Sequence, residues 1–125
     1  MSELGHAGLG ELALHVESGD VSCREIVSGA LARIERGDAA LGAFLSLRGE
    51  AALAEASAAD AARKAGRARS RLHGLPIAVK DILASPDFET RCGSRILTGF
   101  RAPYEATVLR RLRDAGLVVL GKTNM

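Results

Sequence analysis

Apolar residues in the first third of the chain recur every three to four positions, the spacing of a helix that buries one face. Residues 9–16 form the first such stripe, and Gly19 interrupts it. Ser22 and Glu25 have the spacing of a capping box, in which each side chain binds the other residue's backbone N–H. The pattern therefore predicts a short helix, followed by a second helix that begins after Ser22 and ends before Gly37.

The pattern changes twice before the middle of the chain. Residues 43–47 form a short apolar run that predicts a strand. Residues 50–65 are rich in alanine and predict a third helix, because alanine has the highest helix propensity. Residues 67–71 are polar and basic, and they are the predicted position of a linker.

The second half of the chain predicts two buried strands joined by a helix. Residues 77–83 are apolar on both alternations except at Lys80-Asp81, as is typical of a strand covered on both faces. An amphipathic helix over 106–115 and a second strand over 117–120 follow. A strand, crossover and strand favour parallel pairing, so the predicted fold class is α/β. The connection also contains a polar loop and a short helical turn capped by Ser94 (84–94 and 95–99).

Composition excludes several classes of function. The 125 residues are 47% hydrophobic and 26% charged, as expected of one modest globular domain. Only 3% are aromatic, which argues against a stacking surface for single-stranded nucleic acid. The net charge of +2 is too small to indicate a polyanionic partner, and the arginines of the predicted fourth helix (Arg110, Arg111 and Arg113) are interpreted as a solvated face.

The two cysteines suggest a reducing compartment. Cys23 and Cys92 are far apart and lack the spacing of metal ligands. The chain opens with no signal-peptide pattern, and no apolar run approaches the roughly 20 residues of a membrane span. These features predict a cytoplasmic protein that holds no metal and contacts no membrane.

Residues 116–123 match the phosphate-loop pattern G-x-x-x-x-G-K-[ST], but their context contradicts it. A phosphate loop follows a strand and leaves its backbone N–H groups free to bind phosphate. Here the first glycine ends a predicted helix, and the four variable residues are Leu-Val-Val-Leu, which predict a strand. The sequence therefore does not predict nucleotide binding at this motif.

Lys80 is the strongest candidate for chemistry among the three lysines of the chain (Lys64, Lys80 and Lys122). It lies near the carboxyl end of a predicted strand, the edge at which open α/β sheets bind ligands. Burial would lower its pKa and leave a neutral amine that accepts a proton near pH 7. Asp81 is expected on the opposite face as a turn or cap residue, and Lys122 is expected to support structure.

Several blocks of sequence, in this order and spacing, resemble the front part of the amidase signature family. They are HGLPIAVKD (73–81), CGS (92–94), PYEATV (103–108) and GKTNM (121–125). The helix start at Ser22 and the Ala-rich helix resemble the opening of the same family, so that the resemblance covers nearly the whole chain. It implies an incomplete amidase signature fold, with N-terminal helices followed by part of a mixed sheet covered by helices. Residues 1–125 would be the N-terminal part of one such domain.

The resemblance implies amide hydrolysis by a Ser-Ser-Lys triad. In that family a neutral lysine deprotonates a bridging serine, which relays the proton from the nucleophilic serine. Lys80 matches the family's lysine, and Met125 matches a position near its substrate pocket. Both family serines belong to a Gly/Ser-rich segment that residues 1–125 do not contain. The chain is therefore expected to be a truncated enzyme that is catalytically silent alone.

Within the family, the block from Arg95 to Thr107 and the ending resemble most the branch of glutamyl-tRNA(Gln) amidotransferase A subunits. This branch implies that glutamine is hydrolysed and that the ammonia converts Glu-tRNA(Gln) to Gln-tRNA(Gln). It also implies B and C subunits as partners, tRNA only through the complex, and ATP and Mg used by a partner subunit, with no cofactor in this chain. A free-standing amidase and a non-catalytic α/β binding module remain the alternatives.

Overall fold

The computed structural model describes residues 4–125, which form four helices and a three-stranded sheet. The helices are α1 (Leu9–Ser18), α2 (Cys23–Leu41), α3 (Gly49–Lys64) and α4 (Thr107–Asp114). The strands are β1 (Phe44–Leu47), β2 (Pro76–Lys80) and β3 (Val118–Thr123), and short 3₁₀ turns lie at Leu4–His6 and Arg95–Leu97. The order of elements confirms the predicted α/β class.

The central strand of the sheet is β3, which lies between β1 and β2. It pairs antiparallel with β1 and parallel with β2, so the sheet is mixed and the predicted parallel pair is confirmed. Val118 and Leu120 pack in a core with α1, α2 and α3. Val119 points to the opposite face and packs with Phe88 and Leu109. Helices therefore cover both faces of the central strand.

Helix α2 extends past its predicted end at Gly37 and ends at Leu41. A glycine inside a helix costs only about 1 kcal/mol relative to alanine, so Gly37 alone does not end it. The helix stops at Gly42, whose backbone is left-handed and whose N–H donates to the Asp38 carbonyl oxygen at 2.7 Å. At the other end, the predicted Ser22–Glu25 capping box is confirmed in both of its halves.

Strand β2 is shorter and less covered than predicted. It ends at Lys80 instead of residue 83, because the chain turns there and the Leu83 N–H donates to the Lys80 carbonyl oxygen. Val79 is buried, whereas Ala78 and Lys80 are exposed on the opposite face. The prediction of a strand covered on both faces is therefore wrong at this end of β2. Its apolar residues signalled a strand but not which of its faces is covered.

Strand β3 is longer than the predicted 117–120, and it includes Gly121, Lys122 and Thr123. The residues that match the phosphate-loop pattern thus lie largely in a strand, as the sequence predicted. Gly116 ends α4 with φ +93°, and an added Cβ there would collide with the His73 ring. Among the described residues, the Gly116–Thr123 segment forms sheet hydrogen bonds and no phosphate-binding loop.

The predicted linker, residues 67–71, contains no helix or strand and packs against the end of α4. The Ser70 hydroxyl donates to the Ala115 carbonyl oxygen at 2.6 Å, and the Arg69 guanidinium donates to the Arg113 carbonyl oxygen at 3.1 Å.

The same segment also fixes the His73 ring. The Arg69 backbone N–H donates to His73 Nδ1, so that this ring nitrogen is an acceptor and the ring is neutral. Burial, followed by the charges of Arg69 and Arg63, lowers the pKa of His73. The assignment of residues 1–125 to one domain stays a prediction.

A carboxylate on α3 ties that helix to the start of α2. The Asp60 carboxylate accepts hydrogen bonds from the backbone N–H groups of Cys23 at 2.8 Å and Arg24 at 3.1 Å. These donors lie at the N-terminus of α2, where the helix itself offers them no acceptor. Burial, and then the hydrogen bond with Asp60, raises the pKa of the Cys23 thiol to about 11. Cys23 is therefore protonated at neutral pH and behaves as a small core residue.

Gly121 is required where β1 pairs with β3, because the two backbones lie very close together there. An added Cβ would collide with the Ser46 carbonyl oxygen of β1. We expect Gly121→Ala to lower the free energy of unfolding by about 1–3 kcal/mol, because the backbone of β1 must move away.

The matched control is Gly37→Ala, because a Cβ at Gly37 meets no atom within 4 Å. This change should raise the free energy of unfolding by up to about 1 kcal/mol. Urea denaturation of both variants measures the difference, and equal stability of the two would contradict the close approach of β1 and β3.

Candidate active site

The candidate site lies where the two parallel strands end. Lys80, the last residue of β2, is the register partner of Thr123, the last residue of β3. The Thr123 hydroxyl donates to the Val79 carbonyl oxygen at 3.4 Å, and the Asp81 N–H donates to the Thr123 carbonyl oxygen at 3.0 Å. These bonds fix the backbone on both sides of Lys80, whose own side chain is exposed in this chain. Ligands bind at such carboxyl edges in open α/β sheets.

A buried ion pair lies directly beside Lys80. Lys122 Nζ lies 3.2 Å from Asp81 Oδ1, and the two side chains are 0% and 1% exposed. The same ammonium donates to the Asp81 carbonyl oxygen and to the Thr90 hydroxyl, both at 3.3 Å. Its three protons therefore have three acceptors, the arrangement that a buried ammonium requires.

The second oxygen of the Asp81 carboxylate holds the loop that follows β2. Oδ2 accepts the backbone N–H groups of Arg91 and Cys92, each at 3.1 Å. The backbone is left-handed at Cys92 and again at Gly93, and this turn directs both N–H groups to one oxygen. Asp81 therefore joins the end of β2, the Lys122 side chain of β3 and the loop.

Met125 lies against the same loop. A Cβ added at Gly93 would lie 3.4 Å from Met125 Cγ, so the two residues are neighbours. The Met125 side chain is half exposed, and its N–H donates to the Asn124 side chain at 2.9 Å. The structure thus brings Met125, the loop and Lys80 to one edge of the sheet. The roles of Lys80 in catalysis and of Met125 in substrate binding stay predictions.

The pairing of Asp81 with Lys122 does not follow from the sequence pattern, which indicates a turn or cap role for Asp81 and a position after the strand for Lys122. The structure places Lys122 within β3 and directs the Asp81 carboxylate into the core. The available signal was a pair of opposite charges at the ends of two apolar runs that were expected to lie side by side.

The middle of the same loop is held by a second set of charges. Asp87 lies 2.6 Å from the Arg113 guanidinium and 3.7 Å from that of Arg48. Arg113 also pairs with Glu105 at 3.0 Å, and the Arg48 guanidinium lies over the Phe88 ring. Arg113 is therefore half-buried, and the prediction of a solvated arginine face is correct only for Arg110 and Arg111.

The Ser94 prediction is confirmed: its hydroxyl accepts the Ile96 N–H at the start of the short helical turn. In residues 4–125, no three His, Cys, Asp or Glu side chains are grouped so that they could hold a metal ion. Within the same part of the chain, no helix combines the length and apolarity needed to cross a bilayer.

Comparison with known proteins identifies the class to which this sheet edge belongs. Residues 25–125 match the sequence model of the family described as Amidase. Because the match covers most of the chain, this protein belongs to the amidase family.

Individual relatives agree with the family assignment. The A subunit of glutamyl-tRNA(Gln) amidotransferase from Chromohalobacter salexigens is 50% identical over 117 residues, which are 94% of this chain and 24% of that protein. Its counterpart of the same name from Anaeromyxobacter sp. is 47% identical over 123 residues, 98% of this chain and 25% of its own length. The chain thus spans about a quarter of the length of these relatives.

Solved structures of amidases have the same fold. The peptide amidase of Stenotrophomonas maltophilia is 38% identical, with a TM-score of 0.88 over 96% of this chain and 25% of its own. An amidase family protein of Bacillus anthracis is 31% identical, with a TM-score of 0.88 over 99% of this chain and 25% of its own. The chain therefore has the fold of the corresponding part of these enzymes.

The buried pair leads to a prediction about stability. Asp81→Asn and Lys122→Met should each lower the free energy of unfolding by about 3–5 kcal/mol, because each leaves one buried charge without its partner. The double variant should lose much less than the sum, because no charge remains. Urea denaturation of the four proteins measures this coupling.

The control is Glu17→Gln, which removes an exposed pair with Arg71 and should change the urea midpoint little. If the double variant lost as much free energy of unfolding as the two single variants together, the Asp81 and Lys122 charges would not interact.

Proposed function

We propose that this chain supplies the catalytic lysine, Lys80, of a glutamine amidohydrolase whose ammonia converts Glu-tRNA(Gln) to Gln-tRNA(Gln). The observation that carries the proposal is the position of Lys80. It ends β2 at the carboxyl edge of the parallel pair, beside a loop tied to the neighbouring buried pair. Identities of 44–50% to relatives named as amidotransferase A subunits, over nearly all of this chain, support the choice of reaction.

The proposed chemistry is acyl transfer from the side-chain amide of glutamine. The neutral Lys80 amine accepts a proton from a bridging serine, which takes the proton of the nucleophilic serine as that oxygen attacks the amide carbon. The carbon–nitrogen bond then breaks, the proton returns to the leaving nitrogen, and ammonia departs. Water hydrolyses the acyl-enzyme to glutamate. No serine of residues 1–125 is assigned to either role.

Lys80 must be neutral to act as a base, and burial is the physical means of achieving this. The face of β2 that carries the exposed side chains of Ala78 and Lys80 is therefore proposed to be covered in the working enzyme. Met125, beside Gly93 and half exposed, is proposed to contact the amide substrate. The B and C subunits are the proposed partners, with tRNA bound through the complex and with ATP and Mg used outside this chain.

A free-standing amidase of the same family is the second candidate. The observation that favours it is the likeness to a solved peptide amidase, at 38% identity. The amidotransferase is preferred because the curated A subunits are more similar over the same residues, up to 50% identical.

Exchange of segments between relatives tests the role of Lys80. Residues 1–125 would replace the matching segment of the Chromohalobacter salexigens A subunit, and the exchanged protein would be produced with that enzyme's other subunits. We expect glutamine-dependent ammonia release, and we expect Lys80→Ala to lower kcat by about 10²- to 10⁴-fold, the contribution of a general base.

Lys64→Ala is the matched control, because Lys64 lies exposed at the end of α3, and it should leave kcat unchanged. Residues 1–125 alone should release no ammonia from glutamine. Full activity of the Lys80→Ala exchange protein, or turnover by the isolated chain that Lys80→Ala abolishes, would contradict this account.

A further inference from the structure

We infer that Asp81 and Lys122 are positioning residues for Lys80, an inference that rests on the proposed function. Asp81 follows Lys80 in the chain, so any group that fixes Asp81 also fixes the backbone from which the Lys80 side chain extends. Asp81 is fixed at three places: its N–H, its carbonyl oxygen and its carboxylate all form hydrogen bonds within the sheet edge.

The ammonium of Lys122 connects two separate pieces of backbone. It binds the carbonyl and carboxylate oxygens of Asp81 at the end of β2, and it binds the hydroxyl of Thr90 in the loop. The Asp81 carboxylate repeats this connection by accepting the N–H groups of Arg91 and Cys92. The distance between the Lys80 backbone and this loop is therefore set by a buried, fully bonded ion pair.

The loop matters because it reaches the other candidate site residue. Gly93 follows Cys92 directly and is a neighbour of Met125, whose side chain a Cβ at Gly93 would touch. The pair thus relates the proposed base to the proposed wall of the substrate pocket. A displacement of about 1 Å between reacting groups can lower a rate about 10²-fold, so that a rigid connection at this point has a catalytic consequence.

A role in stability alone does not explain why charges occupy this position. Replacement of a buried ion pair by neutral residues is often neutral or favourable for stability. A neutral pair, however, has no ammonium to join Thr90 to the Asp81 carbonyl. Stability and position therefore separate in the double variant Asp81→Asn/Lys122→Met.

The experiment uses the exchange protein with its partner subunits, described above. Each single variant and the double variant are assayed for glutamine-dependent ammonia release at a temperature well below the lowest melting temperature of the set. The melting temperature of each variant is also measured. We expect both single variants to lower kcat about 10²-fold with KM changed less than about threefold, because a displacement of the base slows proton transfer more than it weakens the contacts with glutamine. In the double variant the melting temperature should recover and kcat should not.

Val27→Ala is the control for destabilisation, because Val27 is fully buried in the core of α1–α3, away from the site. It should lower the melting temperature and leave kcat unchanged. Recovery of kcat together with the melting temperature in the double variant would overturn the inference and leave the role of Lys80 intact. Full activity of Lys80→Ala would instead overturn the proposed function, and the inference with it.

Discussion

The contact between Lys122 and Asp81 organises one end of this protein. An ammonium and a carboxylate removed from solvent cannot remain charged in a core unless every donor and acceptor is used. Here the ammonium has three acceptors, and the carboxylate accepts from the ammonium and two backbone N–H groups. Two adjacent strands and the loop after β2 must therefore keep one relative position.

The rest of the fold brings these groups together. Helices α1–α3 pack on one face of β3, and Phe88 and Leu109 pack on the other, so that β3 is buried at the level of Lys122. The absence of a side chain at Gly121 allows β1 to approach closely on the other side of that strand. Asp87, held between Arg48 and Arg113, fixes the middle of the loop. Lys80 is left exposed at an otherwise ordered edge of the sheet.

Much of this structure could be predicted from the sequence because its signals are local. Helical periodicity, the Ser22–Glu25 cap and the apolar strands gave the elements and the parallel pair, and the spaced blocks around Lys80 indicated the family. The errors came where non-local packing decides. Gly37 does not stop α2, because Gly42 and Asp38 form the better end. The exposure of Ala78 and Lys80 and the pairing of Asp81 with Lys122 depend on which surfaces meet, and periodicity carries no information about that.

The Asp81 carboxylate holds the loop after β2 through the N–H groups of Arg91 and Cys92. Amide hydrogen exchange in the 125-residue chain, resolved by NMR, tests this contact. These two amides should be protected in the wild-type chain, and in Asp81→Ala they should lose more of their protection than the amides of α2, whose protection falls only with the global stability. Rapid exchange of both amides in the wild-type chain, or protection that survives Asp81→Ala, would contradict the account.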